Sequence, residues 1–382
     1  MGWRVMEMPA VAVRLGAEAN DAPGFLRLLR KSISAHAIFW LIVVSYYAGL
    51  LALLKLRPDL VSSNFLSVAG GFLLVSIPIM LFSLFLMRFY HIARHVKPER
   101  PVPALFADLK QYLGSGARMA NGIPMVMIMV IFMYVFVDLK SDIPNLNPYS
   151  WDQYFSGLDK TLHFGRQPWE WLQPLLGYPF VTFAININYN AWFLVMWTVW
   201  VYFAFADRPS VLRTRFFLSF FAMWILAGGL LAIAFSSVGP CYYGRLGLTP
   251  DPYADLMTYL RGVNEILPIW AVTVQDILWQ GHVQKSAIDG ISAMPSMHNG
   301  SALLFALAGY QVSRFAGRLL GAHALLIFAG SIHLGWHYAV DSYLAWGLTL
   351  VIWFAMAPIS RWWHGTAAQV DFDRMLPATT SA

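Results

Sequence analysis

Residues 294–298 read Met294-Pro295-Ser296-Met297-His298, and residues 331–341 read Ser331-Ile332-His333-Leu334-Gly335-Trp336-His337-Tyr338-Ala339-Val340-Asp341. An apolar run and a short basic turn separate the two stretches. Ionisable groups are expensive in hydrocarbon, so an apolar chain that keeps them at the ends of neighbouring spans keeps them for chemistry. His298, His337 and Asp341 are therefore the candidate catalytic set, gathered at one membrane face. A carboxylate four residues after a histidine shares a helix face with it and can fix the imidazole tautomer. The other ring nitrogen is then free to attack an electrophile, and His298 can serve as general acid. Pro295 and Ser296 begin a helix whose first amides suit a phosphate group.

The rest of the chain supplies the setting. Its 382 residues are 58% hydrophobic and only 12% charged, about half the charged share of a soluble domain. An all-α polytopic membrane protein follows. The formal charge of +6 does not indicate nucleic acid, because the basic residues sit in short loops between apolar runs. The lone cysteine, Cys241, cannot form an internal disulfide. The first 34 residues lack a continuous apolar core, so no cleavable signal peptide is expected.

Apolar stretches near the length of a membrane span occur at 35–54, 65–86, 123–137, 191–206, 216–235, 299–312, 319–332 and 338–357, which predicts eight spans. The basic residues Arg88, Arg94, Lys97, Arg100, Lys110 and Arg118 fall in one connection, Arg208, Arg213 and Arg215 in another, and Arg314 and Arg318 in a third. With Arg4, Arg14, Arg27, Arg30 and Lys31 they share one side, which the positive-inside rule calls cytoplasmic. Both termini are then cytoplasmic, and His298 and His337 emerge on the outer face. The long outer loops are rich in tryptophan (Trp151, Trp169, Trp171, Trp270, Trp279), and short interfacial helices are expected near 162–174. The basic stretch 91–118 reads as an amphipathic connection lying along anionic lipid. The expected organisation is an N-terminal segment (1–34), two extra spans with the basic connection (35–118), a six-helix catalytic unit (119–363) and a loose tail (364–382).

The pattern Pro-Ser-x-His followed by His-Tyr-x-x-Asp resembles the second and third motifs of the type-2 phosphatidic acid phosphatase superfamily. Met297 stands where its phosphatases carry Gly. This residue, together with Ser236-Ser237-Val238-Gly239-Pro240-Cys241-Tyr242-Tyr243, looks more like the branch of inositol phosphorylceramide synthases and their bacterial relatives. The resemblance implies that His337 becomes a phosphohistidine, Asp341 supports it, and His298 protonates the leaving group. It implies no metal and no other cofactor. A phospholipid or lipid phosphate would be the substrate and a lipid or polyol alcohol the acceptor, with no nucleic-acid partner. A bacterial plasma membrane would be the location.

Two departures bear on phosphate binding. The superfamily's first motif has no match, and Ser331 replaces the third-motif arginine. A phosphoryl transition state needs positive charge around its oxygens. Outer-face candidates are Lys140, Arg166, Arg245, Arg261 and Lys285, with Lys140 and Arg245 favoured and Ser296 as a hydroxyl contributor. Asn186, Asn188 and Asn190 could line a headgroup site. Other readings stay open: hydrolysis to a free lipid alcohol, a metal held by the ladder His333, His337 and Asp341, and a non-catalytic transporter or scaffold.

Overall fold

A computed structural model describes residues 24–60, 62–284 and 290–376. Arg4, Arg14, Lys285 and the last six residues of the expected tail lie outside the described residues. Among those described there is no β-strand. The first described helices are α1 (Phe25–Ala35) and α2 (Ala37–Leu56), followed by α3 (Phe65–His91), whose last turn continues as a π-helical segment, and α4 (Pro101–Gly114). Next come α5 (Gly116–Ser141), one-turn α6 (Ile143–Leu146), α7 (Asp152–Leu162), α8 (Pro168–Leu176) and α9 (Pro179–Ala204). Helix α10 (Val211–Ile225) passes through a π-helical segment (Leu226–Leu231) into α11 (Ala232–Ala234). The remainder comprises α12 (Ala254–Ile266), α13 (Trp270–Val283), α14 (Met297–Val312), α15 (Arg314–His333), α16 (Ala339–His364) and α17 (Ala367–Met375).

Six of these runs are long and apolar enough to cross a membrane: α2, α3, α5, α10 with its continuation, α15 and α16. The two other sequence-predicted spans are helical but fall outside that set. Helix α14 has only 16 residues. Helix α9 has 26, but Asn186, Asn188 and Asn190 interrupt its apolar run. Helix starts follow side-chain chemistry, since Asn64, Ser115, Ser296 and Ser313 each accept a hydrogen bond from an amide in the first turn of their helix.

The bundle core is aromatic. Phe132 and Phe136 of α5 meet Phe221 and Trp224 of α10 with ring centroids 4.9 Å and 4.8 Å apart. Met297, at the start of α14, fits into this seam beside Gly228. A Cβ at Gly228 would lie 2.6 Å from the Phe136 ring and 2.9 Å from the Met297 sulfur. Only glycine permits that approach.

The sequence suggests a loose tail after residue 364, yet α17 is helical and packed. Its Phe372 is fully buried, Gln369 Nε2 donates to the Ala35 carbonyl at 2.5 Å, and Asp371 lies 3.6 Å from Lys31 of α1. Helix α1 presents Leu28, Ser32 and Ala35 inward, one amphipathic face. Helices α1 and α17 thus clasp each other beside the basic ends of the bundle.

Candidate active site

Helix α15 ends at His333, and Gly335 adopts φ +73°, a left-handed turn that suits glycine. The amides of Trp336 and His337 both donate to the Ser331 carbonyl, at 2.9 and 3.0 Å. His337 therefore lies in a tight turn before α16. Its Nδ1 is 3.2 Å from Oδ2 of Asp341, and that same oxygen accepts from the Tyr338 amide at 3.0 Å. The pair expected from a shared helix face forms by another route: Asp341 caps the start of α16, and the turn folds His337 back onto it.

His298 arrives in the first turn of α14. Its ring centroid is 6.4 Å from that of His337. Tyr189 stacks on the His298 ring at 4.7 Å and Trp192 lies at 4.3 Å, so α9 walls in the imidazole. Ser296 is fully buried and serves as N-cap, accepting from Asn299 Nδ2 at 3.0 Å. Asn299 also donates to Ser331 Oγ at 3.1 Å. The position where an arginine was expected thus ties α15 to α14.

Sequence reasoning missed two carboxylates that hold this turn. Asp152, at the start of α7, accepts from the amides of Val238 (3.1 Å) and Gly239 (2.9 Å) and from the Tyr338 hydroxyl (2.8 Å). Asp159 accepts from the amides of Ala339 (2.7 Å) and Val340 (3.0 Å), the first turn of α16. Their seven-residue spacing puts both on one face of α7, a signal present in the sequence. Burial, with the Asp341 charge adding to it, pushes the Asp159 carboxyl up to about 7 against the bonds from its amide donors. The 236–243 stretch stitches the two motifs together. Ala293 donates to the Ser237 carbonyl at 2.9 Å, and Cys241 donates to the Gly335 carbonyl at 2.8 Å. Gly239 has φ +93°, and a Cβ there would lie 2.6 Å from the Trp336 carbonyl oxygen.

Asp152→Ala leaves three buried donors without an acceptor. At about 1–3 kcal/mol for each unsatisfied group, the expected loss of stability is about 3 kcal/mol or more. Thermal melting in detergent checks this, and a melting temperature equal to that of the parent would contradict it.

His298 and His337 open onto one cavity of about 490 Å³, a volume typical of small-molecule sites. Its walls are mainly apolar (Met133, Phe136, Phe193, Val274, Leu278, Trp336), with Lys140, Asn190 and Ser292 as polar members. Lys140 is the one favoured cation that lines it. Among the described residues no carboxylate pairs with Lys140. Burial, and then the Lys140 charge, push the His337 imidazole down to about 3. His337 is therefore a neutral ring near pH 7.

The other cations are engaged elsewhere. Arg245 bonds Asp276, which also takes Arg261 at 3.1 Å, and Arg166 lies over Trp171 at 5.2 Å. None of the three lines the cavity. Lys285 lies outside the described residues. The metal ladder dissolves because the turn at Gly335 separates His333 from α16. His333 instead meets Thr182 Oγ1 at 2.9 Å, and no metal-holding cluster is present among the described residues. Of the three asparagines only Asn190 reaches the cavity; Asn186 accepts from the Ala271 amide at 3.1 Å and Asn188 pairs with His323 at 3.0 Å.

The described residues form an all-helical membrane protein in which two histidines, one of them held by a buried aspartate, open onto a mostly apolar cavity. A family model of the PAP2 superfamily matches residues 153–355, more than half of the chain. The chain belongs to the PAP2 superfamily. The match covers Asp159, His298, His337 and Asp341, while Lys140 and Asp152 precede it. No curated protein and no solved structure matches the chain.

Proposed function

We propose that this protein is a lipid phosphotransferase that works through a phosphohistidine. The observation that carries the reading is the shared cavity: a neutral His337 held by Asp341, His298 opposite it, and Lys140 at the same wall. His337 Nε2 attacks phosphorus while the bond to the leaving oxygen breaks, and His298 protonates that oxygen. An acceptor hydroxyl then attacks the phosphohistidine as His298 takes back its proton, which restores His337. Two contacts of roughly 3 Å, one to phosphorus and one to the leaving oxygen, span the separation of the rings. Lys140 supplies positive charge to the phosphoryl oxygens in place of the missing arginines. Met297 on the cavity wall, where phosphatases of the superfamily carry glycine, favours an alcohol acceptor over water.

The topology that fits is eight spans, with α9 and α14 added to the six apolar ones. Arg88, Arg118, Arg208 and Arg314 lie at the helix ends opposite the cavity, so the active site faces outward and both termini are cytoplasmic. A reporter in the 238–296 loop is expected to score as external; a cytoplasmic signal inverts the leaflet.

The deciding assay uses purified protein in mixed micelles with EDTA. Phosphatidic acid, diacylglycerol pyrophosphate and phosphatidylinositol are offered with and without ceramide, and free phosphate is followed separately from new phospholipid. A new lipid that needs the acceptor supports transfer. Free phosphate without acceptor makes the enzyme a hydrolase.

Lys140→Met should raise KM and move the acid limb of the rate profile upward. The nucleophile must be neutral, and Lys140 helps to keep His337 unprotonated down to about 3. Removing its charge lets the ring take up a proton at higher pH. An unchanged limb and KM would exclude this role.

A further inference from the structure

A second cavity, of about 740 Å³, lies at the opposite helix ends, lined from α3, α5, α9 and α10. Arg118 and Lys140 sit 22 residues apart on α5, so the two cavities are separated by roughly 33 Å along that helix. Four arginines line it: Arg88, Arg118, Arg208 and Arg213. Three have a carboxylate each, Arg88 with Asp108 at 2.5 Å, Arg118 with Asp207 at 3.5 Å and Arg208 with Asp373 at 2.8 Å.

Arg213 differs from these three. It is 1% exposed, and its partners are all neutral: the carbonyls of Phe203 (2.8 Å), Asn121 (3.2 Å) and Ala204 (3.4 Å), and His36 Nε2 (2.9 Å). Among the described residues no carboxylate compensates it. A buried cation without a counter-charge is costly, and an anion in the adjoining cavity would remove that cost. The surroundings say where such an anion comes from. Tyr90 and Tyr202 line the same cavity and are 51% and 48% exposed, as aromatic rings are at headgroup level. Helix α4 beside it leaves Val102, Phe106 and Leu113 uncovered, the pattern of a helix lying in the interface.

We propose that this cavity holds the phosphate-bearing headgroup of an anionic phospholipid, with Arg213 as the buried counter-charge and Arg118 at the mouth. The site is separate from catalysis and holds a lipid of the leaflet opposite the active centre. It does not depend on the transferase reading.

The test compares the full chain, delipidated in detergent, in mixed micelles containing phosphatidylglycerol or phosphatidylcholine. Native mass spectrometry reads retained lipid and thermal melting reads stabilisation. The expected result is one phosphatidylglycerol retained and a raised melting temperature, with phosphatidylcholine giving neither. Arg118→Gln, a partly exposed residue, should weaken retention roughly fivefold, as for loss of one cation at a lipid surface, with melting in phosphatidylcholine unchanged. Arg213→Met should abolish retention, and if it fails to fold, Arg118→Gln decides. Equal retention of both lipids, or phosphatidylglycerol retention unaffected by Arg118→Gln, overturns the proposal. Stabilisation by inorganic phosphate alone, with no effect of the lipid, overturns the lipid assignment.

Discussion

His337→Gln is expected to lose turnover by on the order of 10³-fold or more, the scale on which deletion of a nucleophile acts. The His337 ring bears little of the fold around it. Its Nδ1 meets Asp341, but Asp341 keeps its bond from the Tyr338 amide, and the turn is closed by backbone bonds to the Ser331 carbonyl. The substitution therefore removes chemistry and leaves the scaffold. Melting should stay close to that of the parent while the rate collapses. Rapid acid-free quenching after incubation with labelled lipid phosphate should trap an acid-labile phosphoryl group on the parent and none on the variant. Near-normal turnover in a well-folded variant would refute the covalent route.

His298→Ala should cost about 10²–10⁴-fold with a natural lipid alcohol as leaving group, the range for removal of a general acid. The size of the defect should depend on the leaving group. An alkoxide cannot depart without a proton, whereas an aryl phosphoester with an acidic phenol can. The variant should thus recover most of its rate on the aryl ester, and the phosphohistidine should still form. An equal defect on both esters would make His298 a binding residue. Tyr189 and Trp192 enclose the ring, and among the described residues no carboxylate bonds to it.

Much of the site was legible because its residues are rare in an apolar chain. The pairing of His337 with Asp341 follows from their spacing, and the nearness of His298 and Lys140 to it from their places at span ends. The route of the pairing was hidden by one glycine: Gly335 breaks the helix that a spacing of four assumes. Arg245 lies outside the cavity for a reason of a different kind. Its partner Asp276 lies 31 residues later, and no local pattern announces a contact of that range. Asp152 and Asp159 carry a helical spacing, but apart from the Tyr338 hydroxyl their targets are backbone amides, which have no signature in sequence. The span count was most exposed to composition. In α9 three asparagines dilute the apolar run because the helix faces neighbours such as Ala271 and His323.

The clasp between α1 and α17 has a consequence for biogenesis. Helix α17 follows the last of the described apolar spans, whereas α1 precedes the first. During synthesis α1 can pack on α5, where Ser32 Oγ donates to the Ala120 carbonyl, but the part of its face that α17 covers stays open until α16 has been made. The contact of Phe372 and Gln369 with Ala35 cannot form before α16 has been made, so a chain stopped ahead of α17 lacks it. Such a product would keep the turn around His337 and still leave open the apolar patch that Phe372 covers, a place for local opening.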